Sequence, residues 1–158
     1  DGVFRGLALA ILVLTSVQML TGALVAGLDA GRSYTDWPLM AGELVPSHYI
    51  DDELGVRSLF EGRAATQFNH RFGAYLLWGL ALYAAFRARG TDLKLPFLVI
   101  AGLVTAQALW GILTLINGAP LPIALVHQGL GVLVLLAGIW IVWSTQATAA
   151  LKTQTAQA

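Results

Sequence analysis

Long apolar stretches separated by polar connections dominate the pattern of this chain. Four stretches are almost wholly apolar, and they run from Val3 to Gly27, Phe68 to Phe86, Leu95 to Ile116 and Leu121 to Trp143. Each is close to the ~20 residues that an α-helix needs to cross the hydrocarbon core of a bilayer. Backbone polar groups in lipid must be bonded internally, so helices are expected. The pattern predicts an all-α, polytopic membrane four-helix bundle, with residues 1–158 as a single transmembrane domain.

Composition supports the membrane prediction. Hydrophobic residues make up 57% of the 158 residues and charged residues only 11%, whereas soluble domains carry about 25% charged residues. The net charge is zero, which gives no reason to expect nucleic-acid binding. The chain begins with Asp1 rather than methionine, so we expect it to be one part of a longer membrane protein.

The connections between the apolar stretches differ in charge. The outer loop 28–67 carries seven acidic and three basic residues, the connection 87–94 carries three basic residues and one acidic residue, and 117–122 is uncharged. Lysine and arginine concentrate on the cytoplasmic side of membrane proteins. We therefore predict that both termini are cytoplasmic and that the long acidic loop is periplasmic, in a bacterial inner (plasma) membrane.

His70 and His127 lie within the second and fourth apolar stretches. Both helices should enter the membrane from the outer side, and each histidine falls about six residues in, or ~9 Å at ~1.5 Å per residue. Two imidazoles at matched depth could bind one metal from opposite sides. Because no further strong ligand is visible, a haem, whose porphyrin supplies four ligands, fits better than a bare ion. The alternative is that each histidine simply forms hydrogen bonds between helices.

Polar neighbours of the histidines have two interpretations each. Arg71 either pairs with a haem propionate or anchors its helix at the membrane interface. Gln67, Gln107 and Gln128 either form hydrogen bonds within the site or link helices. His48, in the outer loop, is interpreted as a solvated residue.

Two further features belong near this site. Glu61 either orients a donor group or handles protons, or it is an interface carboxylate paired with Arg57 or Arg63. Gly129 and Gly131 follow His127 closely, and they are the glycines expected to make room for a flat ring.

Several motifs resemble the C-terminal half of haem A synthase, proteobacterial or mitochondrial type, the membrane enzyme that converts haem O to haem A for cytochrome oxidase. They occur in the family's order and span nearly the whole chain: Thr21-Gly-Ala-Leu-Val-Ala-Gly-Leu-Asp-Ala-Gly31, Trp37-Pro-Leu-Met40, Phe60-Glu61, Gln67-Phe-Asn-His-Arg71 with Ala74-Tyr75, Gly111-Ile-Leu-Thr-Leu115, and Leu125-Val-His-Gln128. Gly62 stands where the family usually has asparagine, and Trp37 where it more often has phenylalanine.

The resemblance implies one half of an eight-helix, pseudo-symmetric protein. His70 and His127 would be the axial ligands of a haem b, which must be non-covalent because the chain has no cysteine, and Arg71 would be a further cofactor contact. The implied activity is a haem-dependent oxidoreductase that turns a methyl group of haem O into the formyl group of haem A. The family's other half holds the substrate and the chemistry, so no catalytic residue is assigned here.

The resemblance also implies partners: haem O as substrate, membrane lipid, haem O synthase and an electron donor, with a homo-oligomer left open. A different function remains compatible with the same residues, namely a stand-alone, cytochrome b-like electron-transfer module. A transporter is disfavoured because the helices lack acidic residues near their midpoints.

Overall fold

The computed structural model describes residues 2–157, and along 151–157 it describes the backbone and the side chain of Gln154 only. Within this range the chain forms five α-helices: α1 (Gly2–Gly27), α2 (Ser58–Glu61), α3 (Arg63–Arg87), α4 (Lys94–Ile116) and α5 (Leu121–Gln157). The described residues contain two short 3-10 turns, Ala30–Arg32 and Gly55–Arg57, and no extended strand. The all-α prediction is confirmed.

Two helix ends lie elsewhere than the apolar pattern suggests. α3 begins at Arg63 rather than Phe68, because residues 63–67, before the apolar stretch, are also helical and follow the N-cap residue Gly62. α5 continues past Trp143 to Gln157. No glycine or proline follows Gly138 in the sequence, so nothing there breaks the helix, and alanine and glutamine favour it.

Three helices are long and apolar enough to cross a membrane, judged over the described part of the chain: α1, α4 and residues Leu121–Ala150 of α5. The chain is thus a multi-pass membrane protein. α3 has the length, with 25 residues, but it is not among these candidates. Its polar first half is the reason, since it contains Arg63, Gln67, Asn69, His70 and Arg71.

Seen along the bundle axis, the four long helices stand at the corners of a square. α1 and α4 each contact both α3 and α5, so α3 and α5 lie on one diagonal. An ideal Cβ on Gly31, just after α1, would lie 3.4 Å from the Cβ of Ala119 between α4 and α5. The long connection 28–62 and the turn 117–120 therefore lie at the same end, the loop end. The opposite, terminal end holds the start of α1 and the connection 88–93.

The buried apolar core fills the part of the bundle nearer the terminal end. Its fully buried side chains come from all four long helices: Ala8, Ile11, Ala81, Ala84, Phe97, Ile100 and Ile141. The alanines of α3 allow neighbouring helices to approach closely, as small residues do in membrane bundles. Among the described residues, the buried core cluster extends toward the loop end only as far as Leu77 on α3 and Val134 on α5.

Local hydrogen bonds order the long connection. The backbones of Met40 and Glu43 pair at 2.8 and 3.1 Å, and the Gly42 N–H donates to the Asp36 carboxylate at 3.2 Å. Backbone N–H groups of Ala41 and Gly42 hold the pKa of Asp36 below its ordinary value, because they bind the ionised form.

We expect Phe97→Ala to be one of the most destabilising single changes in the bundle. Phe97 is 0% exposed, and its ring centre lies 5.8 Å from that of Phe4 on α1. Loss of a buried aromatic side chain costs roughly 3–5 kcal/mol. Thermal unfolding in detergent measures the effect. Phe86→Ala is the matched control, since Phe86 is 61% exposed, and equal losses of stability in the two variants would contradict the placement of the core.

Candidate functional site

His70 and His127 face each other across the loop end of the bundle. Their ring centres lie 6.4 Å apart, and the ring planes are nearly perpendicular, at 87°. His70 lies seven residues before Leu77, and His127 seven residues before Val134, the core members closest to the loop end on α3 and α5. The two histidines are therefore at the matched depth that the sequence predicts. The diagonal placement of α3 and α5 brings them together.

Each imidazole packs against a glycine of the neighbouring helix. An ideal Cβ on Gly22 of α1 would lie 3.0 Å from Cε1 of His70, and one on Gly111 of α4 would lie 2.8 Å from Cε1 of His127. Any side chain at either position would therefore displace a ring. The glycines singled out from the sequence do not have this role: a Cβ on Gly129 would meet no atom within 4 Å, and one on Gly131 would meet Gln107.

The Nδ1 atom of His70 has two polar neighbours on α1. Thr21 Oγ1 lies 3.1 Å away and Gln18 Nε2 lies 3.2 Å away. The Thr21 hydroxyl donates its proton to the Gln18 backbone carbonyl at 3.0 Å, so its oxygen can accept a proton-bearing Nδ1 of His70. Gln18 also donates to the His70 backbone carbonyl at 2.6 Å. If Nδ1 donates its proton to Thr21 Oγ1, Nε2 is the ring nitrogen with the free lone pair.

The corresponding nitrogen of His127 is buried without a partner. Among the side chains that the structure describes, His127 Nδ1 and Gln107 Oε1 are both inaccessible and both lack a hydrogen bond. Buried polar atoms are usually bonded, so each such atom calls for an explanation.

Arg71 holds the long connection against α3. Its guanidinium donates to the backbone carbonyls of Tyr34 at 2.8 Å and of Asp36 and Leu39 at 3.0 Å each. Gln67, one turn earlier, also donates to the Tyr34 carbonyl, at 2.9 Å. Arg71 thus stabilises the loop, a role that the sequence did not suggest. Its Nε remains buried and unpartnered within the described structure.

The other polar candidates lie away from the histidine pair. Glu61 forms a two-bond ion pair with Arg57, at 2.6 and 3.0 Å, which is the interface interpretation of this carboxylate. His48 is exposed in the long connection, and Gln128 is exposed on the outer surface of α5. The described residues contain no group of three or more His, Cys, Asp or Glu side chains that could hold a bare metal ion.

A family model described as "Cytochrome oxidase assembly protein" matches residues 1–139 of this sequence. The chain belongs to this family. The haem A synthase of Hyphomonas neptunium is 63% identical over 136 residues, which cover 86% of this chain and 39% of the relative. That of Jannaschia sp. is 42% identical over 131 residues, or 81% of this chain and 35% of the relative.

A third relative gives the same result. The haem A synthase of Paracoccus denitrificans is 42% identical over 118 residues, covering 73% of this chain and 31% of the relative. The chain therefore spans well under half the length of the relatives it matches. No solved structure matches this chain.

The sequence pattern assigned no role at the histidine pair to four residues that lie beside it: Gln18, Thr21, Gly22 and Gly111. Three of them, Thr21, Gly22 and Gly111, stand within the motifs that resemble haem A synthase. One signal was available, because Gln18 precedes Gly22 by four residues and Gln107 precedes Gly111 by four. That repeat places a glutamine and a glycine on one face of each helix, one turn apart. Its meaning depends on which helices are neighbours, and that is visible only in the fold.

We expect Arg71→Met to loosen the connection over residues 34–39. Each hydrogen bond from a charged donor contributes about 1.5–3 kcal/mol, so amide hydrogen exchange in this segment should accelerate at least about tenfold. Arg63→Met is the control, because it removes the same charge eight residues earlier on α3. Unchanged exchange in Arg71→Met would show that the three carbonyl contacts contribute little.

Proposed function

We propose that this chain is the haem b-binding half of a haem A synthase, with His70 and His127 as the two axial ligands of the haem iron. The complete enzyme would oxidise the methyl group of haem O to the formyl group of haem A for cytochrome oxidase biogenesis. Membership of the family and 63% identity to one haem A synthase support this activity. When bound, a bis-histidine haem takes up and passes on single electrons.

The separation of the two imidazoles carries the proposal. An imidazole nitrogen binds zinc at about 2.0–2.1 Å. If an iron–imidazole bond has about the same length, adding ~1.1 Å from ring nitrogen to ring centre would place each ring centre about 3.2 Å from the iron. Two imidazoles on opposite sides of one iron would then have centres about 6.4 Å apart. The observed distance is 6.4 Å. This agreement between the observed and the expected distance of the ring centres supports the ligand assignment.

Several other features of the site also fit a haem. Only two strong ligands are present at this depth, and the described residues offer no third His, Cys, Asp or Glu to complete a bare metal site. The absence of a side chain at Gly22 and at Gly111 leaves room for both rings, since a Cβ there would lie 3.0 and 2.8 Å from the ring carbons. The unpaired Nε of Arg71 leaves one donor for a haem propionate beyond the three loop carbonyls.

The enzymatic chemistry is assigned to the rest of the protein. The one carboxylate raised as a candidate, Glu61, is engaged by Arg57, so we place no catalytic residue in this chain. The relatives are long enough to contain a second four-helix unit of this size. Haem O would be the substrate of the complete enzyme, and an electron donor, haem O synthase and a second copy remain predicted partners.

A stand-alone electron-transfer module is the alternative function. It would use the same histidine pair and would need no further part of the protein for chemistry. The two proposals differ in whether haem O is converted to haem A by the complete protein, which pigment analysis of membranes by chromatography measures directly.

We further propose that α3 is a fourth span and that the acidic loop is periplasmic. α3 is 25 residues long, and it packs between α1 and α4, both candidate spans. The basic residues Arg87, Arg89 and Lys94 lie at the terminal end, which the positive-inside rule assigns to the cytoplasm.

Single cysteines test this topology, since the native chain has none. The substitutions Ser47→Cys and Asp92→Cys are suitable because both residues are exposed, Ser47 before α3 and Asp92 after it. In intact cells, a membrane-impermeant thiol reagent should label the cysteine at position 47 but not that at position 92. Labelling of both from the outside would show that α3 does not cross the membrane.

The ligand pair is tested by His70→Ala and His127→Ala. Each change removes one axial bond, so the low-spin haem should be lost or should bind carbon monoxide. In the unmodified protein, imidazole planes at the observed 87° would leave two iron d orbitals nearly equal in energy, so we expect a strongly anisotropic low-spin EPR signal. His48→Ala is the control and should change neither. Retention of the full low-spin signal in both ligand variants would refute the assignment.

A further inference from the structure

The two histidines are held by helix pairs of related construction. α1 contributes Gly22 to His70 of α3, and α4 contributes Gly111 to His127 of α5. An ideal Cβ on Gly22 would lie 3.0, 3.6 and 3.8 Å from Cε1, Nδ1 and Nε2 of His70, and the values from Gly111 to His127 are 2.8, 3.5 and 3.5 Å. The imidazoles therefore have nearly the same position relative to their glycines.

A glutamine lies one turn before each glycine. Gln18 contacts α3 at Gly73, where an ideal Cβ would lie 2.5 Å from Gln18 Oε1. Gln107 contacts α5 at Gly131, where an ideal Cβ would lie 3.3 Å from Gln107 Nε2. Gly73 and Gly131 each follow a histidine by about one turn. Both glutamine amides thus lie in the groove between their own helix and the helix that carries the histidine.

The pairs differ in the hydrogen bonds that reach the ring. His70 Nδ1 has Thr21 Oγ1 and Gln18 Nε2 within 3.2 Å. The position equivalent to Thr21, one residue before the glycine, is Trp110 in α4, and its indole N–H donates to the backbone carbonyl of Ile123 at 3.0 Å. An indole has no acceptor atom. Of the two side chains in α4 that correspond to Gln18 and Thr21 in α1, only Gln107 can therefore accept a hydrogen bond from His127.

The unpaired atoms complement each other. His127 Nδ1 and Gln107 Oε1 are both buried and lack partners in the described part of the chain. A neutral imidazole that binds a metal through Nε2 carries its proton on Nδ1, and such histidines almost always donate that proton to an acceptor. A rotation of the Gln107 amide toward the ring would let Gln107 Oε1 accept a hydrogen bond from the Nδ1–H of His127, so that both atoms would gain a partner.

We propose that Gln107 is the positioning residue of His127: its side-chain carbonyl accepts the Nδ1–H of the imidazole and directs Nε2 toward the iron. This inference rests on the proposed haem site. It makes the two axial ligands unequal, because His70 is held by a hydroxyl and His127 by an amide carbonyl. The stronger carbonyl acceptor increases the basicity of His127 and so stabilises the oxidised iron.

Substitutions of opposite effect test the proposal in the haem-loaded protein. Gln107→Leu removes the acceptor, so the midpoint potential of the low-spin haem should rise and haem retention should fall roughly tenfold. The haem in question is the one whose low-spin signal is lost in His127→Ala. Gln107→Glu provides a stronger acceptor and should lower the potential. Gln107→Met, which preserves side-chain length, serves if the leucine variant does not fold. Gln146→Leu, at an exposed amide far along α5, is the control and should change neither quantity.

The outcomes separate this inference from the proposed function. Opposite shifts in Gln107→Leu and Gln107→Glu, with the low-spin spectrum retained, support it, since a purely structural role would not reverse sign. Equal potentials in all variants, with a haem that still depends on both histidines, overturn the role of Gln107 and leave the ligand pair intact. A low-spin haem that survives both His70→Ala and His127→Ala overturns the ligand pair and the role of Gln107 together.

Discussion

The contact between each imidazole and a glycine of the adjacent helix determines how this end of the bundle is built. Gly22 and Gly111 offer bare backbone at the positions where the rings of His70 and His127 lie, with ideal Cβ positions 3.0 and 2.8 Å from the nearest ring carbons. Because a helix in lipid cannot rearrange its backbone without leaving polar groups unbonded, the ring positions follow from the helix positions. The imidazole separation therefore depends on how α1, α3, α4 and α5 pack.

That packing is provided by the other half of the bundle. Phe97, Ile11, Ile100 and Ile141 are fully buried near the terminal end, and the alanines of α3 bring its neighbours close. The apolar core stops seven residues short of each histidine, which leaves the loop end to polar contacts. A bundle with a cofactor between its helices needs an apolar core at one end only, because core side chains cannot fill the space that the cofactor takes.

Arg71 connects this site to the region outside it. It follows His70 directly on α3, and its guanidinium binds three backbone carbonyls of the connection 34–39. The loop and the histidine are therefore fixed by adjacent residues of one helical turn.

The sequence by itself determined the helical class, three of the membrane spans and the matched depth of the histidines, because apolar length and helical rise are local properties. The apolar stretch begins at Phe68, five residues after the start of α3 at Arg63, because apolar length does not register a helical segment with polar residues. Tertiary structure alone decided that α3 and α5 are diagonal, that Gly22 and Gly111 rather than Gly129 contact the rings, and that Arg71 binds the loop. These depend on which helix faces are neighbours, and residues such as Gln18 and His70, 52 positions apart, meet only after the bundle has formed.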